Sequence, residues 1–348
     1  MARPANAGTA GAAGGAVAAA GARGAGWGID PGGLAHVVGA GASPVARRGG
    51  DGARLRARAP GRRCPGDLRL RGAGGVAGRA GGALHVGHGI SLTGRGARVI
   101  DLHTHLIPGV DDGSRTMDNS VRVLERMAAE GVQVVACTPH LNATAAPEAP
   151  VAAHAELRRQ LQAAAPNGMQ LVQGFEIMLD RPGCDLRLPG LTLGDSHAVL
   201  VEFPRAGVPP GAADELLRIR SSGRIPVAAH PERYRGVSVD TMHIWRDVGA
   251  VIQGDAQMLL ASGPMALLAR DMLEEGVYDI LASDNHGDRR ALATARLWLR
   301  EMGADRQGRL LTEENPRRLL ADEELERVPP VRQGRSIWQR LRALIGDR

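Results

Sequence analysis

The 348-residue chain carries 43 basic residues, every one an arginine, against 37 acids, and the balance is uneven along its length. Residues 1–98 hold 27 of the 48 glycines and a net charge of +11, whereas residues 99–348 carry −5, which gives no reason to expect nucleic-acid binding. Its cysteines, Cys64, Cys137 and Cys184, have no C-x-x-C spacing. That argues against a disulfide framework and fits a reducing compartment.

Residues 1–98 are Ala, Gly, Arg and Pro without helical or strand periodicity. Such a segment cannot bury enough apolar surface to offset chain entropy. It is expected to be disordered or not part of the working protein. One route to that is a start site assigned too early, since Val99 stands where an initiator would be natural; the other reading is a basic arm that touches anions. No apolar run reaches the roughly 18 residues of a membrane span, and no clean signal-peptide core precedes the domain. The expected location is the cytoplasm.

From Val99 onward, short apolar runs alternate with helical stretches. The expected strands are RVIDLH (98–103), VQVVACT (132–138), MQLVQGFE (169–176), HAVLVEF (197–203), IPVAAH (225–230), GAVIQG (249–254) and YDILAS (278–283). Thr116 or Asp118 is positioned to cap a helix through SVRVLERMAAE that stops at Gly131. Further helices are expected over 151–164, 211–222, 239–248, 264–276 and 289–303. This alternation implies an α/β fold, with parallel strands joined by helical crossovers.

The chemistry-bearing residues fall at one end of these strands. His103 and His105 end the first, and His140 follows the second in CTPH. Glu176 ends the third, Glu202 the fourth and His230 the fifth, while Asp284 and His286 follow the seventh in ASDNH. In a closed parallel fold those ends share one rim. Alternation along a strand points both imidazoles of an H-x-H pair to the same face. Imidazole with carboxylate, without thiolate, suits Mn, Fe or Zn. Two or three neighbouring ions suit phosphate-ester hydrolysis, because they activate water and clamp the exchanging oxygens. His154, His197 and His243 fall in helical stretches or at a strand start and are read as structural or solvated.

Arg233 stands three residues after His230 in AHPERYR, and Arg289 and Arg290 follow His286 in SDNHGDRR. Guanidinium groups beside a metal cluster form bidentate phosphate clamps; the alternative is a solvated surface. A cysteine phosphatase would need Cys-x5-Arg. The residues six positions after the three cysteines are Leu70, Ala143 and Gly190, so that mechanism is unsupported.

The segments DLHTHLIPGVDDGSRTMDNSVRVLERMAAEGVQVVACTPH, GFEI, LVEFP, AHPERY, ASDNH and ENPRRLL together resemble the polymerase-and-histidinol-phosphatase (PHP) superfamily. Within it they are most similar to the manganese-dependent protein-tyrosine phosphatases of bacterial capsule and exopolysaccharide loci. The resemblance covers about residues 99–322. It implies a distorted, roughly seven-stranded β/α (TIM-like) barrel with a site for two or three Mn2+ ions, with Fe, Zn or Mg as alternatives. By position it carries the ligand role onto His103, His105, Asp112, His140, Glu176, Glu202, His230, Asp284 and His286. Asp112 rests on the resemblance alone, and Glu176 is the expected bridge between ions. Arg233 matches a substrate arginine; the second is Arg289 or Arg290.

The implied substrate is phosphotyrosine on a bacterial tyrosine autokinase controlling capsule or exopolysaccharide synthesis. Other readings are a small-molecule phosphatase of the histidinol-phosphate type, another metal-dependent phosphoesterase, and an inactive barrel acting as a kinase-binding scaffold.

The phosphatase domain is expected over 99–326. Residues 327–348 are expected to form a linker, VPPVRQG, and a basic amphipathic helix with Trp338, Leu341, Leu344 and Ile345 on one side. That helix would dock on a membrane surface, on the kinase or on its own barrel.

Overall fold

A computed structural model describes residues 99–331. The expectations for residues 1–98 and for the C-terminal helix fall outside the described residues. Among the described residues the apolar runs form nine short strands, and most strand residues are buried, as expected where both faces of a parallel sheet are covered. In chain order the strands are β1 (Val99–Thr104), β2 (Val132–Cys137), β3 (His140–Asn142), β4 (Gln170–Gln173) and β5 (Glu176–Met178). They continue with β6 (Ala198–Glu202), β7 (Ile225–Ala229), β8 (Val251–Asp255) and β9 (Ile280–Ala282). All pairings are parallel, in two sheets ordered β1-β2-β4 and β3-β5-β6-β7-β8-β9.

The two sheets are joined by bent strands. Only Thr138 and Pro139 separate β2 from β3, and only Gly174 and Phe175 separate β4 from β5. The run 169–176, expected as one strand, is thus broken at Gly174. A side chain at that glycine would lie 2.8 Å from Leu193 and 3.1 Å from Thr138, so the bend is packed tightly. Counting each bent pair once, seven strand positions follow in order, matching the alternation read from the sequence. Between β9 and β1 the ladder shrinks to one bridge, Thr104 to Asn285, and the His105 N–H donates to the Asn285 carbonyl at 2.8 Å.

The crossovers are α1 (Met117–Ala129), α2 (Val151–Ala164), α3 (Ala212–Ser221), α4 (Val239–Asp247), α5 (Ala256–Leu260) and α6 (Pro264–Glu274), and α7 (Leu292–Glu301) follows β9. Thr116, not Asp118, caps α1: its hydroxyl accepts the Asn119 N–H, and Gly131 beyond the helix end adopts φ +90°. The buried stripe Val123, Leu124 and Met127 turns α1 toward the sheet. Because each crossover returns the chain to the same side, all C-terminal strand ends lie together. The expected linker begins as part of the packed unit, since Val328 and Val331 are buried in the core.

Candidate metal centre

His103 lies on β1 and His105 just beyond it, with both imidazoles buried. The His103 Nδ1 faces Gln253 Oε1 at 2.9 Å, and the His105 Nδ1 faces Asp111 Oδ2 at 2.7 Å. With an acceptor on each Nδ1, the proton belongs there and the Nε2 lone pairs turn inward. The two Nε2 atoms stand 3.2 Å apart, each 3.3 Å from Glu176 Oε2 and 3.2 Å from Asp284 Oδ1. Four electron-pair donors packed this closely repel one another unless positive charge sits among them.

The remaining predicted residues extend this cluster. His140 opens β3, with Nδ1 3.0 Å from Glu176 Oε2 and 3.5 Å from Glu202 Oε1. Its Nε2 is 3.3 Å from Asp112 Oδ1, which is also 3.4 Å from His286 Nε2. His286 stacks on His105 with ring centroids 4.0 Å apart. His230 follows β7, with Nε2 2.7 Å from Glu176 Oε1 and 4.0 Å from Glu202 Oε2.

Three groups of potential ligand atoms result, each spanning at most 4.8 Å. They are His103–His105–Glu176–Asp284, His105–Asp112–His140–His286 and His140–Glu176–Glu202. All nine residues expected as ligands therefore meet in one region. His230 joins through its carboxylate neighbours. Glu202 Oε2 and Asp284 Oδ1 are buried without a hydrogen bond, as oxygens reserved for a cation would be. The donor set is nitrogen and oxygen only, which fits Mn, Fe, Zn or Mg.

The electrostatics agree. Burial disfavours charge on His103, but the Glu176 and Asp284 carboxylates outweigh it and raise the imidazole pKa. Burial likewise opposes charge on His140, yet Glu176 and Glu202 raise its pKa to about 10. Burial would raise the Glu176 and Asp284 carboxyls, but the facing histidines hold both well below their ordinary range, with Arg233 adding to the effect on Asp284. The pocket demands positive charge, from protons or from metal.

Backbone strain is concentrated here. His230 at φ +33° and Asp284 at φ +48° are two of the three described non-glycine residues with positive φ. Such conformations cost roughly 1–3 kcal/mol each and persist only where the surroundings impose them. At His230 the support is Tyr234, whose hydroxyl donates to the Ala229 carbonyl at 2.7 Å and accepts the Phe203 N–H at 3.2 Å. The loop bearing Asp111 and Asp112 needs Gly113, because a Cβ there would lie 2.2 Å from the His105 carbonyl oxygen.

The arginines separate. Arg233 is largely buried; its Nη1 is 2.7 Å from Asp284 Oδ2, and its Nε and Nη2 bind Asp255. Arg290 Nη1 reaches Asp284 Oδ2 at 3.0 Å from the exposed side. Arg289 is exposed, with no hydrogen bond or ion pair among the described residues. The open pair Arg289 or Arg290 thus resolves to Arg290 as the residue facing the cluster. The other described histidines lie apart: His154 against Phe175, His197 paired with Asp322, and His243 exposed on α4.

Several residues at the site had no part in the sequence reading. Asp101, Asp111, Gln253 and Asp255 all act behind the cluster. Buried Asp101 accepts the Ser283 N–H at 3.0 Å, and burial pushes its carboxyl up to about 6. A signal existed for three of them. Asp101 alternates with His103 and His105, and Gln253 and Asp255 alternate at the end of an otherwise apolar β8.

Fold and site together define an α/β protein of parallel strands that gathers a histidine–carboxylate centre at its C-terminal strand ends. The chain belongs to the CpsB/CapC family of capsular polysaccharide synthesis, whose model matches residues 99–321. It is 24% identical over 253 residues to the tyrosine-protein phosphatase YwqE of Bacillus subtilis, covering 67% of this chain and 95% of that protein. It is 25% identical over 246 residues to the tyrosine-protein phosphatase CpsB of Streptococcus pneumoniae, covering 65% and 99%. A solved structure from work on YwqE and CpsB, described as unique metal-dependent tyrosine phosphatases, superposes with a TM-score of 0.58 at 27% identity, covering 66% of this chain and 98% of that one.

Proposed function

We propose that this chain is a metal-dependent phosphoric monoester hydrolase that removes phosphate from tyrosine on a protein. The observation that carries this reading is the convergence of the His103 and His105 Nε2 atoms within 3.3 Å of each other and of one oxygen each of Glu176 and Asp284, in a chain of the CpsB/CapC family. The nine residues His103, His105, Asp112, His140, Glu176, Glu202, His230, Asp284 and His286 would hold two or three divalent ions. Manganese is the ion we propose, with iron, zinc or magnesium able to use the same donors. When bound, such ions supply Lewis-acid activation of water and neutralise phosphoryl charge.

The chain's own residues set the frame. Glu176 turns Oε2 toward His103, His105 and His140 and Oε1 toward His230, so it is the proposed bridge. Arg233 and Arg290 both place Nη1 on Asp284 Oδ2, at 2.7 and 3.0 Å, and would bind the phosphoryl group beside it. A tyrosine phenolate, with a solution pKa near ~10, leaves without a strong general acid. Cys137 is no competitor as nucleophile: burial pushes its thiol up to about 12.

The relatives' names support a phosphotyrosine protein as the substrate; we propose that this protein is a bacterial tyrosine autokinase controlling capsule or exopolysaccharide synthesis, the setting in which the family works. A cytoplasmic setting follows from that partner. Among the described residues, no helix is long and apolar enough to cross a membrane. In this reading the working unit begins at residue 99, and residues 1–98 contribute nothing to the chemistry.

The test is turnover of a phosphotyrosine peptide by the purified chain, with added manganese and with chelator, against histidinol phosphate as the competing substrate. Chelator-sensitive hydrolysis that prefers the peptide is expected. Preference for histidinol phosphate, or turnover indifferent to chelation, would overturn the reading.

A further inference from the structure

The end of β8 carries a carboxylate that the proposed chemistry does not use. Asp255 is buried and divides its two oxygens between two tasks. Oδ1 accepts the Gln257 N–H at 2.8 Å and caps α5. Oδ2 binds Arg233 at both Nε, 3.2 Å away, and Nη2. The contact is reciprocated through the backbone, because Glu232 Oε1 accepts the Asp255 N–H at 2.7 Å. The short turn Pro231–Arg233, which leaves the strained His230, is therefore laced to β8 by two adjacent side chains.

This lacing fixes which part of Arg233 faces the centre. With Nε and Nη2 committed to Asp255, only Nη1 points to Asp284. Without Asp255 the guanidinium would keep Asp284 as its one ionic partner and be free to rotate about that contact. Nη1 and Nη2 together would then close on the carboxylate and spend the donors that an oxyanion needs.

We infer that Asp255 is a positioning residue: it holds the Arg233 guanidinium beside Asp284 with three of its five N–H groups engaged, so that the second N–H of Nη1 and of Nη2 is left for a phosphate group at the centre. The inference rests on the phosphatase reading for the identity of the anion, but the geometry it concerns does not.

The test compares the full chain with Asp255→Ser, at saturating manganese. Serine keeps an oxygen able to cap α5 but cannot reach Arg233. Two quantities are read: competitive inhibition by inorganic phosphate, and hydrogen exchange of the Arg233 Nε–H by NMR. Asp255→Ser is expected to weaken phosphate at least tenfold and to accelerate Nε–H exchange. Asp255→Glu, which restores a carboxylate, is expected to recover part of both. Asp255→Thr, whose hydroxyl can also cap α5 and is likewise too short to reach Arg233, gives the same reading should the serine variant not fold.

Phosphate affinity within twofold of wild type overturns the inference. So does a tenfold loss with unchanged exchange, because the effect would not run through Arg233. Failure of the phosphatase reading looks different: the wild-type chain would not hydrolyse the phosphotyrosine peptide. In that case phosphate affinity is read by calorimetry, with the same two overturning results.

Discussion

The candidate centre has a buried floor and an exposed rim, and the two are built differently. His103, His105, Glu176, Glu202, His230 and Asp284 form the floor, each no more than 2% exposed. They sit on strands or within two residues of a strand end, and Gln253 and Asp111 pin the outer ring nitrogens of His103 and His105. Asp112, His140, His286 and Arg290 form the rim, His140 at the start of β3 and the others on loops; the Asp112 side chain is 71% exposed and His286 the most covered of the four. A rigid scaffold sets the floor, where a small displacement would destroy coordination. The rim carries groups that meet solvent and substrate, where loop adaptability is tolerated.

The largest effect should come from the floor. His105→Ala is expected to lower turnover by about 10^3-fold or more, the scale of removing one preorganised electrostatic group, and to reduce bound metal measured by elemental analysis. Unchanged turnover in a folded variant would remove the metal mechanism. Asp112→Ala should cost less, because the buried group His103–His105–Glu176–Asp284 is intact without it. One ion is expected to be lost and the floor to stay loaded. Loss of all metal in that variant would break the distinction between floor and rim.

Asp111→Asn sharpens it further. Asp111 never enters the cluster but holds His105 Nδ1 and accepts the His140 N–H at 3.2 Å. Removing such an orienting carboxylate should weaken metal affinity by roughly 10–100-fold, read by calorimetric titration with manganese. The smallest effects belong to the outer arginines. Arg290→Ala should raise KM for a phosphotyrosine peptide by about tenfold, the scale of one charge-assisted hydrogen bond. Arg289→Ala should leave KM within about twofold, as surface substitutions usually do. Equal effects from the two would contradict their separation.

Much of the floor was legible because the alternation of strand and helix dictates which strand ends share a rim. His103, His105, Glu202 and His230 could be read from that rule alone. Asp112 could not, since it lies in a loop to which the strand register does not apply. The bends at Pro139 and Gly174 were also hidden. They depend on packing between strands rather than on the local run of apolar residues, and they make His140 and Glu176 the first residues of new strands.

The sequence by itself determined the parallel α/β architecture of residues 99–331, the residue types at its strand ends and the lack of a Cys-x5-Arg motif. Those are properties of local periodicity and composition, which need no knowledge of distant contacts. Only the tertiary structure decided that Asp111, Gln253 and Asp255 brace the cluster, and that Arg290 rather than Arg289 faces it. The reason is physical: the His103–Gln253 contact joins residues 150 positions apart, and side-chain direction in a loop is set by the neighbours that the fold brings to it.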